Sequence, residues 1–103
     1  TLTEVAQRGR QIARTTALPS IIDADTGFGV AMNAARTIQE FIEMGLAGCH
    51  LEDQELPKRC GHLDGKSLVS SNDMIQKIRA ASNSRGLDSN FVIIARTDAR
   101  ASE

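Results

Sequence analysis

Apolar positions along this chain switch between helical spacing and short continuous runs, and the switch happens three times. Residues 3–15 carry Val5, Ile12 and Ala13 in a polar helical setting. Thr1 or Thr3 supplies an N-cap there, with Glu4 close behind. Leu18-Pro19 breaks that helix. Residues 20–25 (SIIDAD) read as a short buried strand, and 26–29 (TGFG) as a glycine-punctuated loop. Residues 31–44 return to helical spacing, with Ala34, Ile38, Phe41 and Ile42 on one face and Gly45 as the stop. Residues 47–53 (AGCHLED) form a second strand, followed by a long polar loop from Gln54 to Leu68. Ser71 or Asn72 opens a third helix whose Met74, Ile75, Ile78 and Ala81 repeat at helical spacing. Residues 91–97 (FVIIART) form the third strand, rich in β-branched residues.

Helices and strands alternating at this distance imply βαβ crossovers and a parallel sheet. Each strand is apolar where it starts and polar where it ends: Asp23 and Asp25, then Glu52 and Asp53, then Arg96 and Asp98. In parallel α/β folds the carboxyl ends of the strands carry the site. Alternation puts Asp23 and Asp25 on one face of the first strand and Ile22 and Ala24 on the other. It pairs His50 with Glu52 against Cys49, Leu51 and Asp53, and it groups Val92, Ile94 and Arg96. The economical arrangement gathers Asp23, Asp25, Glu52 and Arg96 around one site.

Composition adds mostly exclusions. The chain has 103 residues, enough for one domain at most, with 41% hydrophobic and 24% charged residues. A net charge of -1 gives no sign of a nucleic-acid or membrane surface. No apolar run is long enough to span a bilayer, and Glu4, Arg8 and Arg10 interrupt any signal-peptide core. Cys49 and Cys60 are too few for a disulfide framework and lack zinc-site spacing, so both read as free thiols in a reducing, cytoplasmic compartment. The chain starts at Thr1 and stops at Glu103 just past a strand-like run, which is expected of one piece of a longer polypeptide.

Three carboxylates at one site repel each other and call for a cation. A hard divalent ion with oxygen ligands fits, and Mg2+ keeps several waters and needs few direct carboxylates. The competing reading is that these acids cap helices or pair with surface cations. Gly27 and Gly29 suit a tight strand-to-helix turn better than a phosphate cradle. His50 reads as a packed or supporting histidine, Cys49 as core, Met32, Met44 and Met74 as helix packing, and Arg36 as surface. Residues 57–62 (PKRCGH) set Cys60 between Lys58 and Arg59 on one side and Gly61 and His62 on the other. Positive neighbours favour a thiolate, and a solvated basic loop is the alternative.

The segments DADTGFG, HLEDQ, PKRCGHLDGK and FVIIARTDA occur in the order, and at roughly the spacing, of the isocitrate lyase and phosphoenolpyruvate mutase superfamily. The resemblance covers almost the whole chain. The K-[KR]-C-G-H run after an E-D-Q strand resembles the lyase branch, and "KRCGH" with short loops is most similar to prokaryotic 2-methylisocitrate lyases. Petal-death-type lyases, which act on oxaloacetate and substituted malates, carry a similar run, so a lyase or decarboxylase of that kind is the competing reading, and an inactive fragment that keeps the motifs is a further one. The resemblance implies a partial (β/α)8 TIM barrel: three consecutive parallel strands with their helices, residues 1–103 forming one segment of a catalytic domain. It implies Mg2+ (or Mn2+) held by Asp25, with Asp23 and Glu52 contributing directly or through water. It implies Cys60, Gly61, Arg59 and His62 on a closing catalytic loop, and Arg96 on a substrate carboxylate. It further implies a small di- or tricarboxylate substrate, a role in propionate catabolism, and a cytoplasmic homo-tetramer when full length. Retro-aldol cleavage of such a substrate gives pyruvate and a succinate carbanion, which Cys60 as a thiol would protonate.

Overall fold

The structure is a computed structural model and describes residues 1–55, 68–86 and 90–99. Six elements alternate along it: α1 (Leu2–Ala13), β1 (Ile21–Asp23), α2 (Ala31–Glu43), β2 (Gly48–Glu52), α3 (Ser71–Ser84) and β3 (Val92–Arg96). The strands form one parallel sheet in the order β1-β2-β3. Asp23 lies opposite His50, and Glu52 opposite Arg96. The parallel α/β layer expected from the alternating pattern is therefore present, and its polar strand ends all lie at the same edge.

Caps and turns set the boundaries. The Thr1 hydroxyl oxygen accepts a hydrogen bond from the Glu4 amide at 3.2 Å, satisfying one of the free donors at the start of α1. Ser70 does the same for α3 through the Asp73 amide at 3.1 Å, so the cap sits one residue before the expected opening residue. Between β1 and α2 the Gly27 amide closes a turn onto the Ala24 carbonyl at 2.8 Å. Gly27 has φ +83°, and a Cβ there would stand 3.2 Å from Ala34 Cβ. Only glycine meets both conditions without strain. The buried Thr37 hydroxyl then donates to the Gly27 carbonyl at 3.0 Å and ties the turn to α2.

The helices cover one face of the sheet. Ala24, Ile38, Phe41, Cys49, Leu51 and Ala81 form the centre of the core there. Phe41 is fully buried, and truncating such a side chain to alanine costs about 3–5 kcal/mol. The helix faces read from periodicity need three corrections. Ile12, Met32 and Ile75 are exposed, at 55%, 82% and 50%. On α1 the buried positions are Ala6 and Gly9. A Cβ on Gly9 would lie 3.0 Å from both Ile22 and Leu46, so the small residue lets the helix approach the sheet. Met44 and Met74 do pack against the core, as expected.

The other face of the sheet is open. Ile21, Val92 and Ile94 project there with 57%, 49% and 43% of their surface exposed. Asp23, Glu52 and Arg96 share that face, one strand position or more toward the carboxyl edge. In a closed (β/α)8 barrel this face points inward, where layers of branched apolar side chains fill the interior beneath the site.

Candidate active and metal site

Asp23, Asp25 and Glu52 converge at the carboxyl edge. Each offers a carboxylate oxygen, and these oxygens all lie within 4.8 Å of one another. Glu52 is fully buried, Asp25 half-buried and Asp23 exposed. Three acids from two strand ends meet as expected, but not by strand alternation alone. Strand β1 ends at Asp23. Asp25 reaches the cluster because its backbone turns left-handed, at φ 51°. The Asp25 amide donates to Asp23 Oδ1 at 2.7 Å, and the Asp25 carbonyl accepts from the Glu52 amide at 2.8 Å. Aspartate tolerates this region better than most residues. Phe28, at φ 63°, is in the same region and packs against the core. A non-glycine residue held there costs on the order of 1–3 kcal/mol, and such strain concentrates at functional turns.

His50 stands beside the cluster and not in it: its Nδ1 is 3.6 Å from Asp23 Oδ1, longer than a hydrogen bond. Arg96 lies on the same face, with Nε donating to Asp98 Oδ1 at 3.1 Å. Its pKa sits above the ordinary arginine value, first through the hydrogen bond to Asp98, then through Asp98's charge, with Glu52 and Asp23 adding. Arg59, Cys60, Gly61 and His62 lie outside the described residues. The described ends of that segment meet: Gln54 and Leu68 form an antiparallel bridge, and the Val69 amide donates to the Asp53 carbonyl at 2.8 Å. The chain that carries Cys60 thus leaves and returns beside the end of β2.

The sequence reading missed a second network. Asp53 is buried, and its carboxylate accepts from the Thr97 hydroxyl at 2.6 Å and from the Asp98 amide at 2.9 Å. The buried Gln54 side chain approaches Asp98 Oδ2 at 3.5 Å. Lys77 is buried behind Asp53, and burial pushes its ammonium below the ordinary lysine value against the opposing pull of Asp73 and Asp53. A cavity of about 470 Å3 opens near Lys77, between the N-terminal turns of α2 and α3, and none of the three clustered acids lines it.

Cys49 is the opposite of a reactive thiol. It is fully buried on the helix side of β2. Burial pushes its pKa up to about 12, with the charge of Asp23 adding. Against an ordinary cysteine, the thiolate fraction at pH 8 falls about a thousandfold. The raised value favours the folded thiol, a contribution present below the unfolded value of 9.0 and lost as pH climbs toward 12. In the folded protein, iodoacetamide at pH 8 is expected to leave Cys49 unmodified in peptide mass maps, while denatured protein is alkylated there. Equal labelling in both states would contradict the assignment.

Consecutive parallel strands, helices on one face and carboxylates at the shared edge define a segment of a (β/α)8 barrel that includes the site end. The chain belongs to the phosphoenolpyruvate phosphomutase family, which it matches over residues 1–103, within the PEP mutase/isocitrate lyase superfamily. It is 62% identical over 103 residues to a probable 2-methylisocitrate lyase 2 of Corynebacterium glutamicum, covering 100% of this chain and 33% of that protein. It superposes on an oxaloacetate acetylhydrolase bound to 3,3-difluorooxalacetate with TM-score 0.92 and 46% identity, over 99% of this chain and 35% of the other. A phosphonopyruvate hydrolase structure with oxalate and Mg2+ gives TM-score 0.84 and 34% identity, over 96% and 33%. The chain thus spans about a third of the length of the proteins it matches. Among the described residues, no helix is long and apolar enough to cross a membrane.

Proposed function

We propose that the protein bearing this chain is a Mg2+-dependent carbon–carbon lyase that cleaves 2-methylisocitrate to pyruvate and succinate. The observation that carries the reading is the convergence of Asp23, Asp25 and Glu52 at the carboxyl edge, with Arg96 on the same face. The donor set fits the cation: all three offer hard oxygen ligands, which Mg2+ and Mn2+ prefer. Their oxygens lie within 4.8 Å of one another, so Asp25 would hold the cation, with Asp23 and Glu52 contributing directly or through water. The 62% identity to a protein named as a 2-methylisocitrate lyase supports the choice of substrate.

In this mechanism the bound cation would supply Lewis-acid polarisation of the substrate oxygen that becomes the keto oxygen of pyruvate. Arg96 holds a substrate carboxylate, a task for which a guanidinium offers two parallel donors. A base takes the hydroxyl proton as the carbon–carbon bond breaks. Cys60 donates a proton to the departing succinate carbanion, with Arg59 and His62 setting its charge and Gly61 beside the substrate. The reading extends to a cytoplasmic homo-tetramer working in propionate catabolism, as the family resemblance implies.

A second reading, cleavage of oxaloacetate or a substituted malate, is favoured by the superposition on oxaloacetate acetylhydrolase. One assay separates the two. Pyruvate released from 2-methylisocitrate with Mg2+, and stopped by EDTA, is the expected result. Acetate released from oxaloacetate, without pyruvate from 2-methylisocitrate, would replace the first reading with the second. No product from 2-methylisocitrate, oxaloacetate or 2,3-dimethylmalate would remove both.

A further inference from the structure

Arg96 is placed where a guanidinium should collapse onto the acids. It pairs in register with Glu52, on the open face, and both Glu52 and Asp23 act on its charge. An arginine that closed onto them would occupy the carboxylates meant for the cation and have nothing left for substrate. The structure instead shows it turned to Asp98, which takes Nε at 3.1 Å. Among the described residues neither terminal nitrogen of Arg96 donates a hydrogen bond, and 41% of the side chain is exposed. A planar guanidinium held by Nε presents its outer edge to a carboxylate in the two-pronged geometry that such pairs prefer.

Asp98 is itself held. Its side chain is 8% exposed. Its amide and the neighbouring Thr97 hydroxyl fill the two oxygens of Asp53, at 2.9 and 2.6 Å, across from the end of β2. The Ala99 amide donates back to Thr97 Oγ1 at 3.2 Å, closing the turn. Gln54 approaches the Asp98 oxygen that does not face Arg96. Lys77 supplies positive charge behind Asp53. The turn after β3 is thus fixed to β2 by a buried carboxylate, and the direction of Asp98 follows from it.

We propose that Asp98 is a positioning residue that holds the Arg96 guanidinium off Glu52 and aims its free edge at a substrate carboxylate, with Asp53 as its anchor. The inference rests on the reading of Arg96 as the carboxylate-binding group. Asp98 acts through Arg96 and touches no reacting atom, so its loss weakens substrate binding more than it slows chemistry.

The test uses the complete protein bearing this chain. Asp98→Asn is expected to raise KM about tenfold with kcat changed less than about threefold, and Asp98→Glu to recover most of the loss. A KM equal to wild type in Asp98→Asn, or a fall confined to kcat, overturns the inference. The 15N-resolved Nε–Hε signal of Arg96 gives a readout independent of activity. A signal protected from solvent exchange in wild type and lost in Asp98→Asn supports the inference, and identical signals overturn it. If the wild type turns over no substrate, the lyase reading fails and this spectrum alone decides about Asp98. If Asp98→Asn does not fold, exchange in the wild type decides: protection supports the inference, exchange at solvent rate overturns it.

Discussion

Asp25→Asn in the complete protein is expected to weaken Mn2+ binding about 10- to 100-fold and to lower turnover about a thousandfold, or roughly 4 kcal/mol of barrier. The size follows from what is removed. Asp25 is one of three carboxylates whose oxygens share a 4.8 Å space, and the reading gives it the direct bond. Asparagine keeps an oxygen at the same place but not the charge. It also tolerates the left-handed backbone at φ 51°, so the turn that carries position 25 survives the change. Alanine would confuse the two effects, because it loses the ligand and strains the turn together. Titration of Mn2+ by its electron paramagnetic signal gives the affinity, and pyruvate release at saturating Mg2+ gives the rate. If both stayed within about threefold of wild type, Asp25 would not be the metal's main ligand.

How much of this was readable without coordinates varies with the range of the interaction. The parallel layer followed from local signals, since each strand is a short apolar run and each helix a 3.6-residue repeat. The acid cluster followed from position on the strand, because a residue at a carboxyl end in a parallel fold faces the site. Even so, alternation placed Asp25 correctly for the wrong reason. The strand stops at Asp23, and a left-handed residue does the rest. Ile12, Met32 and Ile75 show the limit on the helices: an apolar residue at helical spacing is not thereby on the buried arc, and here the small residues Ala6 and Gly9 mark that arc on α1. The Asp53–Thr97–Asp98 turn was out of reach for another cause. Its partners are 44 and 45 residues apart, and no period in the sequence couples positions at that distance. Asp53 and Asp98 were noticed as polar strand ends, but their bond to each other depends on the register of β2 with β3.

Cys60→Ser is expected to lower lyase turnover by about 10²- to 10⁴-fold, while Mn2+ affinity stays within about threefold of wild type. The two thiols of the chain have opposite surroundings in sequence. Cys49 sits in an apolar layer with its pKa pushed up to about 12, which leaves it neutral and silent at working pH. Cys60 follows Lys58 and Arg59 and precedes Gly61 and His62, and cationic neighbours stabilise a thiolate. A thiol that can hold or release a proton near neutral pH can protonate a carbanion and be restored. A serine hydroxyl, far weaker as an acid, cannot, although it is almost the same size. The segment bearing Cys60 departs from Gln54 and returns at Leu68, both beside Glu52 and Asp53 at the site end of β2. The acids that would bind the cation belong to β1, its following turn and β2, and the substitution touches none of them. A serine variant with full turnover would remove Cys60 from the chemistry and leave its basic surroundings as a solvated loop. A variant that lost turnover and Mn2+ binding together would mean that Cys60 supports the metal site. Loss of turnover with the metal still bound assigns the proton to Cys60.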